Sequence, residues 1–234
     1  MRLTQAGICF FATLFLTICG CKKDGQVGNV MYDSPYAVYG SKGPEKVRVF
    51  THSGEILAPG LLSYYTVKDI DQLKDYVNMM VAGHQGIDTI RISANQEATT
   101  FETYSRSIYK VNKGKNRLEL STKDTLTGYS YFDQYSKTLP YLMSELKPLV
   151  FNEYLYSSVP EYTFGYKAIE KLVVIPKNDE LEIPLLTFAW YKKQGASSGN
   201  YFYNKYNLLD PQFYKTMLSG DTVVLKETTI LYRR

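Results

Sequence analysis

The sequence predicts a mainly β protein, an antiparallel meander that forms a sandwich or a barrel, with α+β as the alternative class. Two observations predict this fold. Apolar and polar residues alternate with a period of two over much of residues 45–234, which is the spacing of half-buried strands. Polar turn residues separate these runs and divide the segment into about eight to ten strands.

Each predicted strand follows from one such run. Residues 46–52 and 89–94 alternate valine or isoleucine with polar side chains, as half-buried strands do. Residues 107–121 and 171–191 each contain two β-prone runs around a polar turn, which indicates two antiparallel hairpins. Residues 221–234 are predicted as one further long strand.

Two helices are expected among the strands. Near 66–82, apolar residues recur at spacings of three and four, Thr66 can cap the start, and Gly83 can end the helix. A short helix is predicted near 211–218, where Pro211 suits a first helical turn. The longer helix is expected to be inserted between strands of the meander.

The first residues have the layout of a secretory signal peptide. Arg2 gives the start a positive charge, and the apolar stretch Ala6–Ile18 follows, with two threonines as its polar residues. A stretch of about 13 residues is short for a helix that crosses a ~30 Å hydrocarbon core, which needs roughly 20. The segment is therefore predicted to be a removable export signal.

The stretch ICGCKKD, residues 18–24, resembles the lipobox and the mature start of bacterial lipoproteins, and its end is similar to lipoproteins of Bacteroidota. The resemblance implies that Cys21 is diacylated with palmitate-type chains, cleaved free and acylated again. Several acyl chains hold a protein stably at a membrane without spanning it. The implied location is the outer membrane, facing the periplasm or the cell surface. An ordinary secretory signal, or a buried N-terminal helix, is the alternative.

The chain is expected to divide into three segments: a signal peptide at 1–20, a lipid-anchored flexible tether at 21–44, and a single β-rich domain at 45–234. The tether is rich in Gly, Ser, Pro and Asp and lacks an alternating or helical period. The domain is long enough to bury one hydrophobic core, and 44% of the residues in the whole chain are hydrophobic. Two small domains are the alternative.

The cysteines and the charge exclude several function classes. The cysteines are Cys9, Cys19 and Cys21. Because the first two would leave with the signal and the third would carry lipid, the domain would hold no disulfide, thiolate metal site or cysteine nucleophile. The formal net charge of +4 is spread along the chain and gives no footprint for nucleic acid.

No catalytic residue, metal site or cofactor is predicted. Ser197 in GASSG matches a nucleophile-elbow pattern, but no helix is predicted after it and both histidines precede it, so a hairpin loop is favoured. His52 and His84 have no second ligand at diagnostic spacing and are interpreted as turn residues. A glycosidase pair needs two carboxylates within ~5–9 Å. Sequence alone does not show whether folding brings together any of Glu153, Glu161, Asp179 and Glu180.

Tyrosine is unusually abundant, with 22 in the chain. Its rigid face and its hydroxyl suit interfaces and stacking on sugar rings. The same side chain suits half-buried strands, so tyrosines that build sheet faces are the alternative. The candidate ligand-binding residues are Tyr129, Tyr131, Tyr135, Tyr154, Tyr156, Tyr162 and Tyr166.

The sequence thus favours a membrane-anchored envelope lipoprotein that acts as a non-catalytic binding module for a glycan, peptide or other ligand. The expected partners are the membrane, through the N-terminal lipid, and a glycan or an envelope protein; neither a nucleic acid nor a cofactor is expected. A structural or assembly partner in the outer-membrane envelope is the alternative. An envelope hydrolase is disfavoured because no nucleophile–base pair or metal-ligand cluster is recognisable.

Overall fold

The fold was described from a computed structural model. The predicted signal peptide and Cys21 lie outside the described residues. Those residues are 30–44, 46–57, 72, 74–79, 86–124, 126–130, 142–147, 149–155, 164–194 and 197–234.

Within this part the chain forms fourteen strands, a 3-10 helix at Phe213–Thr216 and a helical segment at 74–79, called α1. The strands outnumber the eight to ten expected because short pieces without a long alternating pattern also pair. They are β1 (Pro35–Lys42), β2 (Arg48–Thr51), β3 (Gly54–Glu55), β4 (Thr89–Ile92), β5 (Glu97–Phe101), β6 (Arg106–Lys113), β7 (Leu118–Thr122), β8 (Leu126–Ser130), β9 (Leu149–Leu155), β10 (Phe164–Ile169), β11 (Lys171–Lys177), β12 (Glu180–Gln194), β13 (Ser197–Lys205) and β14 (Thr222–Arg233).

Eight of the strands close into an antiparallel barrel, which confirms the mainly β prediction and decides between the barrel and the sandwich. Around the barrel the order is β12, β11, β7, β6, β5, β4, β1 and β14. The barrel closes because β14 pairs with β12 over most of both strands, from Arg233 opposite Glu180 to Thr222 opposite Tyr191. Closure removes the open sheet edges that would otherwise invite pairing with other chains.

The two-residue alternation fills the interior of the barrel. In β7, Leu118 and Leu120 are fully buried, whereas Glu119 between them stays partly exposed and bonds Arg117. The same pattern on the other strands produces one continuous core. Its buried members are Tyr36, Ile87, Ile90, Ile92, Ala98, Tyr109, Val111, Leu118, Leu120, Leu172, Val174, Leu181, Ile183 and Tyr232.

The connections give the barrel two distinct ends. The hairpin end carries the three tight turns at 93–96, 114–117 and 178–179, together with the start of β1 and the end of β14. In the last of these turns, Asn178 has φ 52°, a left-handed conformation that asparagine tolerates better than most residues. The opposite end, called the mouth, carries the β5–β6 turn at 102–105, the end of β7 and the start of β11.

β12 and β14 continue past the mouth and organise a second sheet, with the order β3, β2, β14, β12 and β13. On one face, Val77 of α1 packs with Val49, Ala189 and Val224. The other face is covered by the 3-10 helix and by residues around 143. The buried cluster there contains Phe50, Met143, Leu186, Phe188, Trp190, Phe213, Met217, Val223 and Leu225.

A small sheet with the order β8, β10 and β9 extends the β7–β11 ladder at the mouth. The junction is fixed by two hydrogen bonds: Thr122 N–H donates to the Glu170 carbonyl at 3.0 Å, and Glu170 N–H donates to Thr122 Oγ1 at 3.1 Å. Glu170 is therefore held at a constant position where the barrel wall ends and the small sheet begins.

The prediction of a flexible tether is wrong for Pro35–Lys42. This segment is β1, which pairs with β14 on one side and with β4 on the other, and its Tyr36 is fully buried. The composition misled because the register shifts between Val38 and Gly40, and such bulges favour glycine within a strand. Residues 21–29 of the predicted tether lie outside the described part of the chain.

The two helix predictions fare differently. Residues 72 and 74–79 of the predicted 66–82 helix are helical, and the rest of that prediction falls outside the described residues. The short helix predicted near 211–218 is present as a single 3-10 turn, Phe213–Thr216, which is shorter than the predicted segment. Thr216 Oγ1 donates to the Phe213 carbonyl at 2.6 Å, a local bond that competes with continuation of a helix. Neither described helix has the length and apolarity that crossing a membrane requires.

Ion pairs of Glu182, in β12, connect this strand to β1 and β11, and their strength depends on pH. The carboxylate of Glu182, 8% exposed, bonds Lys42 and Lys177. Burial by itself raises the pKa of Glu182, but its hydrogen bonds and ion pairs with the two lysines outweigh burial and leave this pKa below its ordinary value.

Glu182→Gln is expected to lower the free energy of unfolding at pH 7 by about 1–3 kcal/mol, because it removes a charged acceptor from two ammonium groups. A carboxyl group whose pKa is lowered by folding stabilises the protein at pH values above its unfolded-state pKa. This stabilisation is lost as the pH falls and the group becomes protonated. The difference between the natural chain and Glu182→Gln should therefore shrink below about pH 5. Urea unfolding from pH 7 to pH 3 measures this; a difference that is constant over the whole range contradicts it.

Candidate ligand-binding cleft

A cleft of about 550 Å3 opens at the mouth of the barrel. Its walls come from the β5–β6 turn, the first residues of β6 and β11, the segment 142–147, and residues 204–207 at the end of β13. Topology brings these segments together, because β13 returns along β12 and ends over the mouth. The uncharged polar side chains in the lining are Ser105, Ser107, Ser144, Asn204 and Asn207.

The floor of the cleft is continuous with the barrel core. Tyr109 and Leu172 line the cleft and also belong to the core cluster. Tyr109 is 8% exposed, and burial raises the pKa of its hydroxyl. The hydroxyl therefore stays protonated at neutral pH and can donate a hydrogen bond to a ligand.

Two tyrosine hydroxyls brace the mouth from inside. Ile87 N–H donates to Tyr206 Oη at 3.0 Å, and Tyr232 Oη donates to the Ile87 carbonyl at 2.8 Å. Burial raises the pKa of Tyr206 to about 12, although the Ile87 amide opposes this shift. Burial also raises the pKa of Tyr232. Neither hydroxyl is an available base near neutral pH, so both act as fixed supports of the cleft wall.

Asn207 joins three segments of the wall. Its Oδ1 accepts from Leu146 N–H at 3.2 Å and from Leu208 N–H at 2.9 Å. Its Nδ2 donates to the carbonyls of Leu146 and Lys171 at 3.1 and 3.3 Å. Asn207 is 3% exposed, and all the hydrogen-bonding capacity of its amide is directed at backbone, so it positions the wall.

Charges of both signs surround the cleft. Lys205 Nζ donates to the two carboxylate oxygens of Glu170 at 3.0 and 3.1 Å. Glu102 accepts from Ser105 Oγ at 2.9 Å, and exposed Arg106 stands beside it. With each carboxylate already engaged, the rim offers polar recognition to an uncharged or zwitterionic ligand and no strong net field for a single sign of charge.

Metal and nucleophilic chemistry find little support among the described residues. No group of three or more His, Cys, Asp or Glu side chains in that part of the chain could hold a metal ion. His52 lies in the exposed β2–β3 turn, where its Nε2 is 3.2 Å from Ser53 Oγ, away from the cleft. His84 lies outside the described residues. A strand, β13, begins at Ser197, which agrees with a hairpin and differs from the helix that a nucleophile elbow requires.

The predicted tyrosine site maps onto the small sheet. Tyr129 is in β8, Tyr154 in β9 and Tyr166 in β10. Tyr129 and Tyr154 are the two register partners of Gly165, so they occupy corresponding positions on either side of β10. The predicted site residues outside the described part of the chain are Tyr131, Tyr135, Tyr156 and Tyr162. The described tyrosines that line the cleft are instead Tyr109 and Tyr206.

Of the four carboxylates considered as a glycosidase pair, those that the structure describes are not in the lining of the cleft. Asp179 is in the turn at the hairpin end, 3.7 Å from Arg234, and Glu180 begins β12 beside it. Glu153 is in β9, and Glu161 lies outside the described residues. The carboxylates that folding places in one cleft are Glu102 and Glu170, which the sequence pattern did not single out.

No protein family, curated protein or solved structure matches the sequence. The cleft therefore has to be understood from its own chemistry.

The sequence held only faint signs of the residues that form this cleft. Tyr206 belongs to the tyrosine-rich run NYFYNKYN, residues 200–207. Its composition alone does not distinguish a binding site from a strand. Glu170 is the single residue between β10 and β11, a break in an apolar run that could have marked the end of a barrel wall. Asn207 lies two residues after the end of β13, where an amide side chain is often used to hold irregular backbone.

Proposed function

We propose that this protein is a lipid-anchored envelope lipoprotein that binds a small hydroxyl-rich ligand, of the glycan class, in the cleft at the barrel mouth without converting it. The observation that carries the proposal is the lining of the cleft: hydroxyls and amides surround a floor of tyrosine and leucine. Such a combination of one apolar surface and a few placed polar groups is typical of small-molecule sites.

The individual residues support a sugar better than an apolar or a strongly charged ligand. Ser105, Ser107 and Asn204 offer donors and acceptors that match sugar hydroxyls. Tyr206, which is partly exposed, supplies aromatic surface of the kind on which the apolar face of a sugar ring stacks, and the buried Tyr109 lies beneath the cleft. The ion pair between Glu170 and Lys205 places two opposite charges in the lining that neutralise one another.

The anchor rests on the first residues of the sequence. The export-signal layout and Cys21 within ICGCKKD support acylation and retention at the outer membrane, on its periplasmic or its outer side. An anchored module with a preformed cleft suits the capture of a soluble or surface glycan. Assembly with an envelope protein is the alternative, and copurification of a stable partner would favour it.

Thermal unfolding of the purified chain with a panel of oligosaccharides tests the proposal. A ligand at about 100 times its Kd adds roughly 2.7 kcal/mol, and we expect the matching sugar to raise Tm by about 5–10 °C in a domain of this size. Ser105→Trp, which fills the cleft entrance, is expected to abolish this rise.

Ser53→Trp is the matched control, since Ser53 is an exposed serine in another hairpin turn, away from the cleft. It should keep the ligand-induced rise in Tm. The proposal fails if no oligosaccharide raises Tm, or if the rise survives in Ser105→Trp. Release of reducing ends from a bound oligosaccharide would instead identify a hydrolase.

A further inference from the structure

The chain enters the barrel at the hairpin end, opposite the cleft. Just before β1, Val30 packs against the barrel core, and Met31 N–H donates to Tyr36 Oη at 2.9 Å. Asp33 N–H donates to the Ile92 carbonyl at 2.8 Å, beside the 93–96 turn. These contacts fix the point from which the preceding residues lead back to Cys21.

The segment between the proposed anchor at Cys21 and the contact of Val30 with the barrel core is short. From Cys21 to Val30 there are nine residues, and fully extended they span at most about 30 Å. The hairpin end therefore stays within about 30 Å of the surface in which an acylated Cys21 is embedded, and contacts of the hairpin end itself decide which way the barrel faces.

The hairpin end carries exposed lysines. Within 30–35, 93–96, 113–117, 177–180 and 233–234, six side chains are cationic and three are anionic. Three of the cations pair with carboxylates: Arg117 with Glu119 and Glu145, Lys177 with Glu182, and Arg234 with Asp179. The basic character of this end therefore rests on Lys113, Lys115 and Arg233. Lys115 is exposed on the 114–117 turn, and the sequence adds Lys22 and Lys23 next to the proposed anchor. The cationic residues of this end are Lys113, Lys115, Arg117, Lys177, Arg233 and Arg234.

Two large side chains with apolar surface, Met31 and Tyr32, are exposed at the hairpin end beside Lys113. Met31 is 43% and Tyr32 41% exposed, and Lys113 Nζ lies 5.8 Å from the centre of the Tyr32 ring. An exposed methionine and a tyrosine with a lysine over its ring have the composition of side chains that insert at the headgroup boundary of a membrane, where aromatic rings and basic residues are favoured.

From this placement we infer that the hairpin end is a membrane-docking surface that fits anionic lipid headgroups. The inference rests on the proposed lipid anchor at Cys21. Lysine and arginine attract an anionic bilayer surface over roughly a Debye length, about 8 Å at physiological salt. Docking sets the barrel with its hairpin end on the headgroups and its mouth away from them, so the cleft stays open to ligands in solution.

Flotation of the purified lipidated chain with vesicles is the first measurement. Vesicles of phosphatidylcholine alone are compared with an equimolar mixture of phosphatidylcholine and phosphatidylglycerol. An anchored chain floats with both. A chain that floats only with the anionic vesicles argues against the anchor while supporting the basic surface, and a chain that floats with neither overturns both proposals.

Thiol labelling then reads the orientation. An acylated Cys21 leaves no native thiol after signal removal, so Asn116→Cys on the 114–117 turn and Tyr104→Cys on the 102–105 turn each provide a single reactive site. With a water-soluble maleimide, Asn116→Cys is expected to react several-fold more slowly on anionic than on neutral vesicles. Tyr104→Cys should react equally on both, and high salt should remove the difference.

Charge reversal supplies the control. In the Asn116→Cys background, Lys113→Glu with Lys115→Glu should restore fast labelling on anionic vesicles. Lys46→Glu with Lys215→Glu changes the net charge equally at exposed positions elsewhere and should leave labelling slow. Equal rates for Asn116→Cys on both kinds of vesicle, or slow labelling of Tyr104→Cys on anionic vesicles, would overturn the docking surface.

Discussion

A chain that lacks residues 1–42 is expected not to fold, whereas a chain that lacks only residues 1–29 should fold as the full chain does. The shorter deletion spares Val30 and β1. The longer deletion removes β1, one of the eight strands that close the barrel. The two deletions differ by thirteen residues, residues 30–42, all of which lie in the segment that composition predicts to be a tether.

The expected effect is large because β1 is paired on both sides. Its loss would expose the ladder positions of β4 and of β14, which β1 satisfies in the natural chain. It would also remove the buried ring of Tyr36 and uncover Ile90 and Tyr232, both 0% exposed. Losing one large buried aromatic alone costs about 3–5 kcal/mol. Together with the lost pairing, this is comparable to the 5–15 kcal/mol that stabilises a typical domain.

Circular dichroism with urea titration separates the two outcomes. The chain without residues 1–29 should unfold cooperatively at a midpoint close to that of the full chain without its signal. The chain without residues 1–42 should show no cooperative transition, or should aggregate through its open strands. A cooperative transition at an unchanged midpoint after the longer deletion would show that β1 contributes little, as a tether would.

The strands that sequence predicted well are those whose partners are close in the chain. Leu118 and Leu120 alternate with polar neighbours and pair with the preceding strand through a short polar turn, so local pattern is enough. The strand β12 is likewise predicted by the long apolar run that begins shortly after the polar turn at Asn178. Where pairing is local, the sequence carries both the face and the register.

β1 was missed because its partners are distant in sequence. Its register with β14 joins residues almost at the two ends of the chain, such as Val38 and Tyr232. Gly40 and Ser41 make the segment resemble a linker, and nothing local signals that a strand is needed to close the barrel. Tertiary pairing overrides local propensity in such a segment.

The cleft was missed for the same physical reason. Tyr109 comes from β6, Glu170 from the junction of β10 and β11, and Tyr206 from the residue after β13. These three places meet only when the barrel is closed and β13 has returned over the mouth. Composition directed attention to tyrosines between 129 and 166, since abundance along the chain is visible and convergence in space is not. Sequence could predict that aromatic and polar residues are plentiful, but not which of them share a wall.

Asn207→Ala is expected to lower the free energy of unfolding by about 2–4 kcal/mol, since it leaves buried backbone groups of Leu146, Leu208 and Lys171 without their side-chain partner. The corresponding fall in Tm is about 5–15 °C for a chain of this size. Because Asn207 holds segment 142–147 against the start of β11, the amides of Leu146 and Leu208 should also exchange with solvent faster.

Asn116→Ala is the matched control, because Asn116 is exposed on the turn at the hairpin end and should change stability by less than about 0.5 kcal/mol. The Asn207→Ala cleft wall should be looser, so a ligand that occupies the cleft should bind more weakly even at temperatures where the variant is fully folded. Urea unfolding, hydrogen exchange and ligand titration measure the three effects. If Asn207→Ala matches the natural chain in stability and exchange, its four hydrogen bonds do not hold the wall. If stability falls but ligand affinity is unchanged, Asn207 supports the fold and the ligand binds elsewhere.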